Sequence, residues 1–168
     1  MGLENSSNDT PELSLQLLRE HFPEAVLETL LPQGDATALI RPDGLIKIVD
    51  FLKNDPRLQF NVLVDITAVD YMGRKPRFDV VYHLLSLPFN RRLRLKAAVD
   101  EGEPSLDSLT PFWGSANWLE REVWDMFGIR FAGHPNLRRI LLYEEFQGHP
   151  LRKDYPIRKR QPLIGPKT

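Results

Sequence analysis

Between Phe60 and Val99 the chain passes through three segments in which apolar and polar residues alternate, with a turn between each. In Phe60–Tyr71, Val62, Val64, Ile66 and Ala68 alternate with Leu63, Asp65, Thr67 and Val69. In Arg77–Leu87, Phe78, Val80, Tyr82 and Leu84 share one face. In Arg91–Val99, Leu93, Leu95, Ala97 and Val99 point one way and Arg92, Arg94 and Lys96 the other. A period of two is the signature of strands with one wet face. The connections, Met72–Pro76 and Pro88–Asn90, are far too short for a crossover helix. The three strands must therefore form an antiparallel meander. That sheet has one apolar face, and something else in the chain has to cover it.

Helical patterns supply the cover. Thr10, Pro11 and Glu12 have the chemistry of a helix start, with Thr10 as N-cap and Pro11 at the first helical position. Leu15, Leu18 and Phe22 then share a face, and Pro23 follows the end. Ala36–Ile40 reads as a short strand. Arg41-Pro42-Asp43 opens a helix to about Asn54, with Leu45, Ile48, Val49 and Leu52 on one side. An acidic, Ser/Pro-rich loop with one short helical turn precedes a third helix, from about Asn117 to Phe127. Asn117 and Glu120 have capping-box spacing, and Gly128 is a natural C-terminal stop. The fold class is α+β: a mixed, largely antiparallel sheet with helices packed on one face. The predicted organisation is a disordered stretch at 1–9, the α+β domain at 10–128, and an extended basic docking segment at 129–168.

With 168 residues, 42% of them hydrophobic, the chain supports one domain with a real core. A net charge of −1 argues against a general nucleic-acid binder. The charge is unevenly placed, however. Met1–Leu30 holds six acidic residues and one arginine, whereas Leu151–Thr168 holds six basic residues and one aspartate. Such asymmetry marks a tail that meets a partner. There are no cysteines, which excludes disulfides, Cys-ligated zinc and iron–sulfur clusters held by this chain. No apolar run approaches the roughly 18 residues of a membrane span. The acidic, polar N-terminus is unlike a secretory or transit peptide.

The chemistry-bearing residues concentrate after Asn117. The helix WLEREVWDMF sets Glu120, Arg121, Glu122 and Asp125 among aromatic and aliphatic residues. Arg121 and Asp125 are spaced to pair, and Glu122 and Asp125 lie on adjacent turns. A carboxylate pair could serve acid–base or metal chemistry, but no Glu-x-x-His or His-x-x-x-His spacing accompanies it. An amphipathic or interface helix is the preferred reading. Gly133-His134-Pro135 and Gly148-His149-Pro150 repeat one another, each followed by Leu and basic residues: Arg138 and Arg139, then Arg152 and Lys153. Pro after His enforces extended geometry and Gly before it permits a bend, so each element aims its arginines. A phosphate site would call for a Gly-rich loop ahead of a helix, and neither G-x-G-x-x-G nor a Walker motif is present. The stripe Arg92, Arg94, Lys96 has no interleaved aromatics for RNA stacking. His83 and Asp65 read as structural residues of strands. No nucleophile elbow can be assembled.

The run from Glu120 to Ile129, then Phe131, Gly133-His134-Pro135, Leu137-Arg138-Arg139-Ile140, and finally Gly148 to Pro156, resembles the signature of the 30 kDa subunit family of respiratory complex I. The meander, beginning VLVDITAVDY and FDVVYHLLS, is similar more loosely. Complex I is the proton-translocating NADH–quinone oxidoreductase of the respiratory chain. The resemblance implies a cofactor-free, non-catalytic subunit of its peripheral arm, in an enzyme that uses FMN, iron–sulfur clusters, NADH and quinone. It implies partners among the cluster-binding subunits and, chiefly, the neighbouring quinone-reducing subunit, which the C-terminal segment would brace. It implies peripheral attachment at the cytoplasmic face of a bacterial membrane, through the complex alone, with no nucleic acid. Carried over residue by residue, Glu120, Arg121, Glu122, Asp125, His134, Arg138, Arg139, His149, Arg152, Lys153 and Asp154 become docking and bracing residues. The alternative is a free-standing phosphate-handling hydrolase or transferase that uses His134 or His149 with the arginines.

Overall fold

The computed structural model describes residues 11–162. The predicted disorder at 1–9 and the Thr10 cap lie outside the described residues. Three helices and seven strands follow in the order α1 (Pro11–His21), β1 (Val26–Leu30), β2 (Thr37–Ile40), α2 (Leu45–Asn54), β3 (Val62–Asp70), β4 (Phe78–Ser86), β5 (Arg91–Val99), β6 (Ser105–Asp107), α3 (Ala116–Phe127) and β7 (Arg130–Ala132). The main sheet runs β1-β2-β5-β4-β3. All its pairings are antiparallel except β2 with β5. The meander and the α+β class predicted from alternation are thus present.

The apolar faces of the three helices close one core with the sheet. Leu15 and Leu18 of α1, Leu45, Ile48, Val49 and Leu52 of α2, and Val123 of α3 are buried with Val80, Tyr82, Leu84, Leu93, Leu95 and Ala97. The opposite sheet face carries Arg92, Arg94 and Lys96, as the alternation required. The helix expected to begin at Arg41 is split: a 3-10 turn spans Pro42–Gly44 before α2 starts at Leu45. β3 departs from the predicted faces. A bulge between Leu63 and Asp65 shifts its phase, so Leu63 is buried and Val64 is exposed, while Ile66 and Ala68 keep the inward face. An extra residue on one strand of a pair has that effect.

The pair β6–β7 is parallel and joins the loop before α3 to the chain after it. The N–H of Ser108 also donates to the Ala132 carbonyl at 2.8 Å. β7 thus leaves α3 tied back to the domain, and the remaining chain from Gly133 to Pro162 is turns and irregular structure.

Candidate docking site

Helix α3 is the post around which the C-terminal segment is strapped. It ends at Gly128, whose φ of 78° is left-handed and whose N–H caps the Trp124 carbonyl at 2.8 Å. A second reason for glycine lies across the gap. A Cβ there would sit 2.7 Å from His149 Cδ2 and 2.8 Å from Nε2.

Asp125 organises the strap. It is fully buried on α3. One carboxylate oxygen accepts from Arg139 Nη1 at 2.6 Å. The other accepts from three successive backbone N–H groups, Ile140, Leu141 and Leu142, at 3.0, 2.9 and 3.0 Å. Burial alone would raise this acid's pKa. The Leu142 N–H, the Arg139 guanidinium and the other two N–H groups outweigh burial and hold it below the usual aspartate range. Arg139 lies between the Trp124 and Phe146 rings, 5.6 Å from each centroid, and its Nη2 donates to the Phe146 and Gly148 carbonyls.

One turn earlier, Arg121 donates Nε to the Arg138 carbonyl at 3.1 Å and Nη2 to the Arg139 carbonyl at 3.0 Å. Its guanidinium lies over Trp118. The i,i+4 pair predicted between Arg121 and Asp125 is therefore not made, because the strap takes both side chains. Glu122 and Asp125 do not form a carboxylate pair either: Glu122 is exposed while Asp125 is buried.

Both histidines serve the strap. His134 donates Nε2–H to the Asn117 carbonyl at 3.1 Å and accepts the Asn136 N–H at Nδ1. His149 donates Nδ1–H to the Asp125 carbonyl at 3.0 Å and meets Trp124 edge-on. Their anchor points are eight residues apart on α3, about 12 Å along its axis at 1.5 Å per residue. They do not converge on one substrate atom, which disfavours the hydrolase alternative. Among the described residues no group of three or more His, Asp or Glu could hold a metal ion.

Glu120 does not complete the predicted capping box. It is fully buried and accepts from Ser108 Oγ at 2.7 Å and from the Leu109 N–H at 2.6 Å. The helix flank, Ser115, makes no side-chain cap. Burial pushes the Glu120 carboxyl up to about 7, against the pull of its two donors.

The far end of the strap is clasped to the β3–β4 hairpin. Arg77 is buried and holds Asp70 in a fork, at 2.8 and 2.7 Å. The same guanidinium reaches Glu101 at 2.7 Å and Asp154 at 3.0 Å. Arg152 also pairs with Asp154 and lies over Phe78. The Lys153 N–H donates to Asp70 at 2.7 Å, and the Leu151 N–H to the Met126 carbonyl. Arg77 and Arg152 hold the Asp154 carboxyl well below the usual range. Asp70, Arg77 and Glu101 were missed from sequence. A signal existed for Asp70: it continues the inward phase of Ile66 and Ala68, and an acid in phase with a core needs a buried partner.

The predicted docking residues therefore divide in two. Glu120, Arg121, Asp125, His134, Arg139, His149, Arg152 and Asp154 have partners within the chain. Glu122, Arg138 and the Lys153 ammonium are exposed and make no ion pair among the described residues.

Fold and clasp together define a small α+β module whose C-terminal segment is strapped over its own last helix. The chain belongs to the family of the respiratory-chain NADH dehydrogenase, 30 Kd subunit, which it matches over residues 38–161. It is 50% identical over 143 residues to an NADH-quinone oxidoreductase subunit of Roseiflexus sp. (strain RS-1), covering 85% of this chain and 82% of that one. It is 47% identical over 150 residues to an NADH-quinone oxidoreductase subunit of Citrifermentans bemidjiense, covering 88% and 92%. Among solved structures it resembles a trypsin-resistant fragment of Nqo5, at 39% identity and a TM-score of 0.57, covering 62% of this chain and 83% of the fragment.

Proposed function

We propose that this chain is a cofactor-free, non-catalytic peripheral-arm subunit of a proton-translocating NADH–quinone oxidoreductase, held on the cytoplasmic face of a bacterial membrane by its partner subunits. In this reading the 129–168 segment braces the quinone-reducing subunit and the cluster-binding subunits beside it. FMN, iron–sulfur clusters, NADH and quinone belong to the other chains. No helix among the described residues is long and apolar enough to cross a membrane, and membrane contact in this reading comes through the complex. The relatives named as NADH-quinone oxidoreductase subunits support the assignment to that enzyme.

The observation that carries a bracing role is the pre-ordered strap. Asp125 and Arg77 fix its course over α3 and the hairpin, and Glu122, Arg138 and Lys153 are left facing outward. A surface ordered in advance loses less side-chain and loop entropy on docking.

The test is a double variant, Glu122→Lys with Arg138→Glu. Both side chains are exposed, so the isolated chain should keep its stability within about 0.5 kcal/mol. Co-purification with the oxidoreductase from membranes should fall about tenfold or more, the effect of losing interface anchors. The complexes that do assemble should keep normal turnover per flavin. A wild-type chain that leaves the membrane alone, with no flavin or iron–sulfur protein beside it, overturns the reading.

A further inference from the structure

Residues 147–161 form a closed loop, built to hold one side chain outward. Its two ends are joined by reciprocal amides: Gln161 Nε2 donates to the Gln147 carbonyl at 3.0 Å, and the Gln147 N–H approaches Gln161 Oε1 at 3.5 Å. Its interior is filled by its own keystone, Tyr155. That ring stacks on Phe146 at 6.1 Å, accepts Gln161 Nε2 at its hydroxyl at 2.8 Å, and lies beneath the Lys159 ammonium. Gly148, at φ 97°, lets the ring approach: a Cβ there would meet Tyr155 Cε2 at 2.9 Å. A compact loop of this length, with near ends and its own packing, is an Ω-loop.

The tip of this loop is a turn, closed by the Lys159 N–H donating to the Pro156 carbonyl at 2.9 Å. Ile157 occupies its first corner and is 101% exposed, the most exposed large hydrophobic side chain among the described residues. Close to it in the chain are Lys153, Arg158, Lys159 and Arg160; with Arg152 the window 152–162 holds five basic residues against one acid, Asp154, for a net of +4. Scattered exposed aliphatics need no explanation. An isoleucine lifted fully into water by a self-packed scaffold, within so basic a stretch, is a different arrangement.

We propose that the 147–161 loop is a preformed docking knob, in which Ile157 enters an apolar socket rimmed by carboxylates on a neighbouring protein subunit. This rests on the chain's place in the oxidoreductase. Charge complementarity selects the occupant. Guanidinium forks at Arg158 and Arg160 match carboxylates in plane and valence. An anionic lipid surface would also attract the charge, but stable membrane attachment requires far more apolar area than one aliphatic side chain supplies. Preordering by the glutamine clasp removes the entropy cost a floppy tail would incur.

The experiment uses the assembled complex. A photo-crosslinking residue is placed at position 157 and, as a control on β1, at exposed Leu27. The expected result is one dominant protein adduct at 157, mapping to an apolar site flanked by Asp or Glu. Ile157→Asp should lower retention of the chain in the complex at least about tenfold, the scale of a central anchor. Gln161→Ala should weaken it in the same direction. The isolated Ile157→Asp chain should melt like wild type, since the side chain is fully in water. Adducts only to lipid, or wild-type retention of Ile157→Asp with the chain still co-purifying, overturn the knob and leave the functional reading intact. A wild-type chain that does not co-purify at all overturns both.

Discussion

Replacing Asp125 by Asn should release the strap without unfolding the domain. The substitution keeps the shape and removes the charge. The remaining amide oxygen can still accept from Ile140, Leu141 and Leu142, but the amide NH2 then faces the Arg139 guanidinium, donor against donor. Arg139, 11% exposed, is then left with no carboxylate partner among the described residues. Breaking a buried pair by removing one partner costs about 3–5 kcal/mol. The cost falls on the strap, because the core is closed by α1, α2, α3 and the sheet, and the strap adds only Leu137 and Leu142 to its margin. At 1.4 kcal/mol per factor of ten, amide protection at 140–142 should drop roughly 10²- to 10³·⁵-fold. The assay is residue-resolved hydrogen exchange on the isolated chain, with Val80, Tyr82 and Leu84 as internal references that should stay protected. If residues 140–142 exchange within about threefold of wild type, the aspartate does not hold the strap and the account of the site fails.

Two further outcomes follow from the same geometry. Glu120 carries a folded-state pKa of about 7, above its unfolded value, so the native state binds the extra proton. Its contribution is unpenalised below the unfolded pKa, falls as pH rises toward 7, and then levels off, about 3 kcal/mol lower. Glu120→Gln should remove that slope from a series of denaturant melts between pH 4.5 and 8; an unchanged slope would assign it to other groups. Gly128→Ala should cost about 1–2 kcal/mol for the left-handed backbone and more for displacing His149. In a His149→Ala background the second part should vanish, a coupling that a double-mutant cycle of thermal melts reads directly. Simple additivity would mean the ring is not held against Gly128.

Reading function from this sequence depended on α3 and the two Gly-His-Pro elements, and those residues do assemble around one helix. Their individual partners were another matter. Arg121 and Asp125 have ideal spacing for each other, yet each is taken by backbone of the strap, 15 or more residues further along the chain. Glu120 has capping spacing and instead turns inward to Ser108 and Leu109. A helix-surface rule compares local neighbours; it has no knowledge of carbonyls and N–H groups that a distant segment brings in. The same limit hid the short strands. In β1 a register shift between Val26 and Glu28 breaks the alternation that would have marked it. β6 and β7 are three residues each, too short for any period, and exist because the chain after α3 returns to the loop before it.

The sequence by itself determined what depends on nearest neighbours: the meander, because alternation with short turns admits no other pairing; the helices, because their apolar residues recur at helical spacing; the stop at Gly128. The tertiary structure alone decided which charges are spent inside the molecule and which face outward. Asp125, Asp70 and Arg77 are buried, and Arg139 largely so, because each met a partner that repaid its desolvation. Glu122, Arg138 and the Lys153 ammonium met none among the described residues and remain at the surface. Composition cannot separate those two fates, since the charged residues in both sets are of the same types and only distance in space tells them apart.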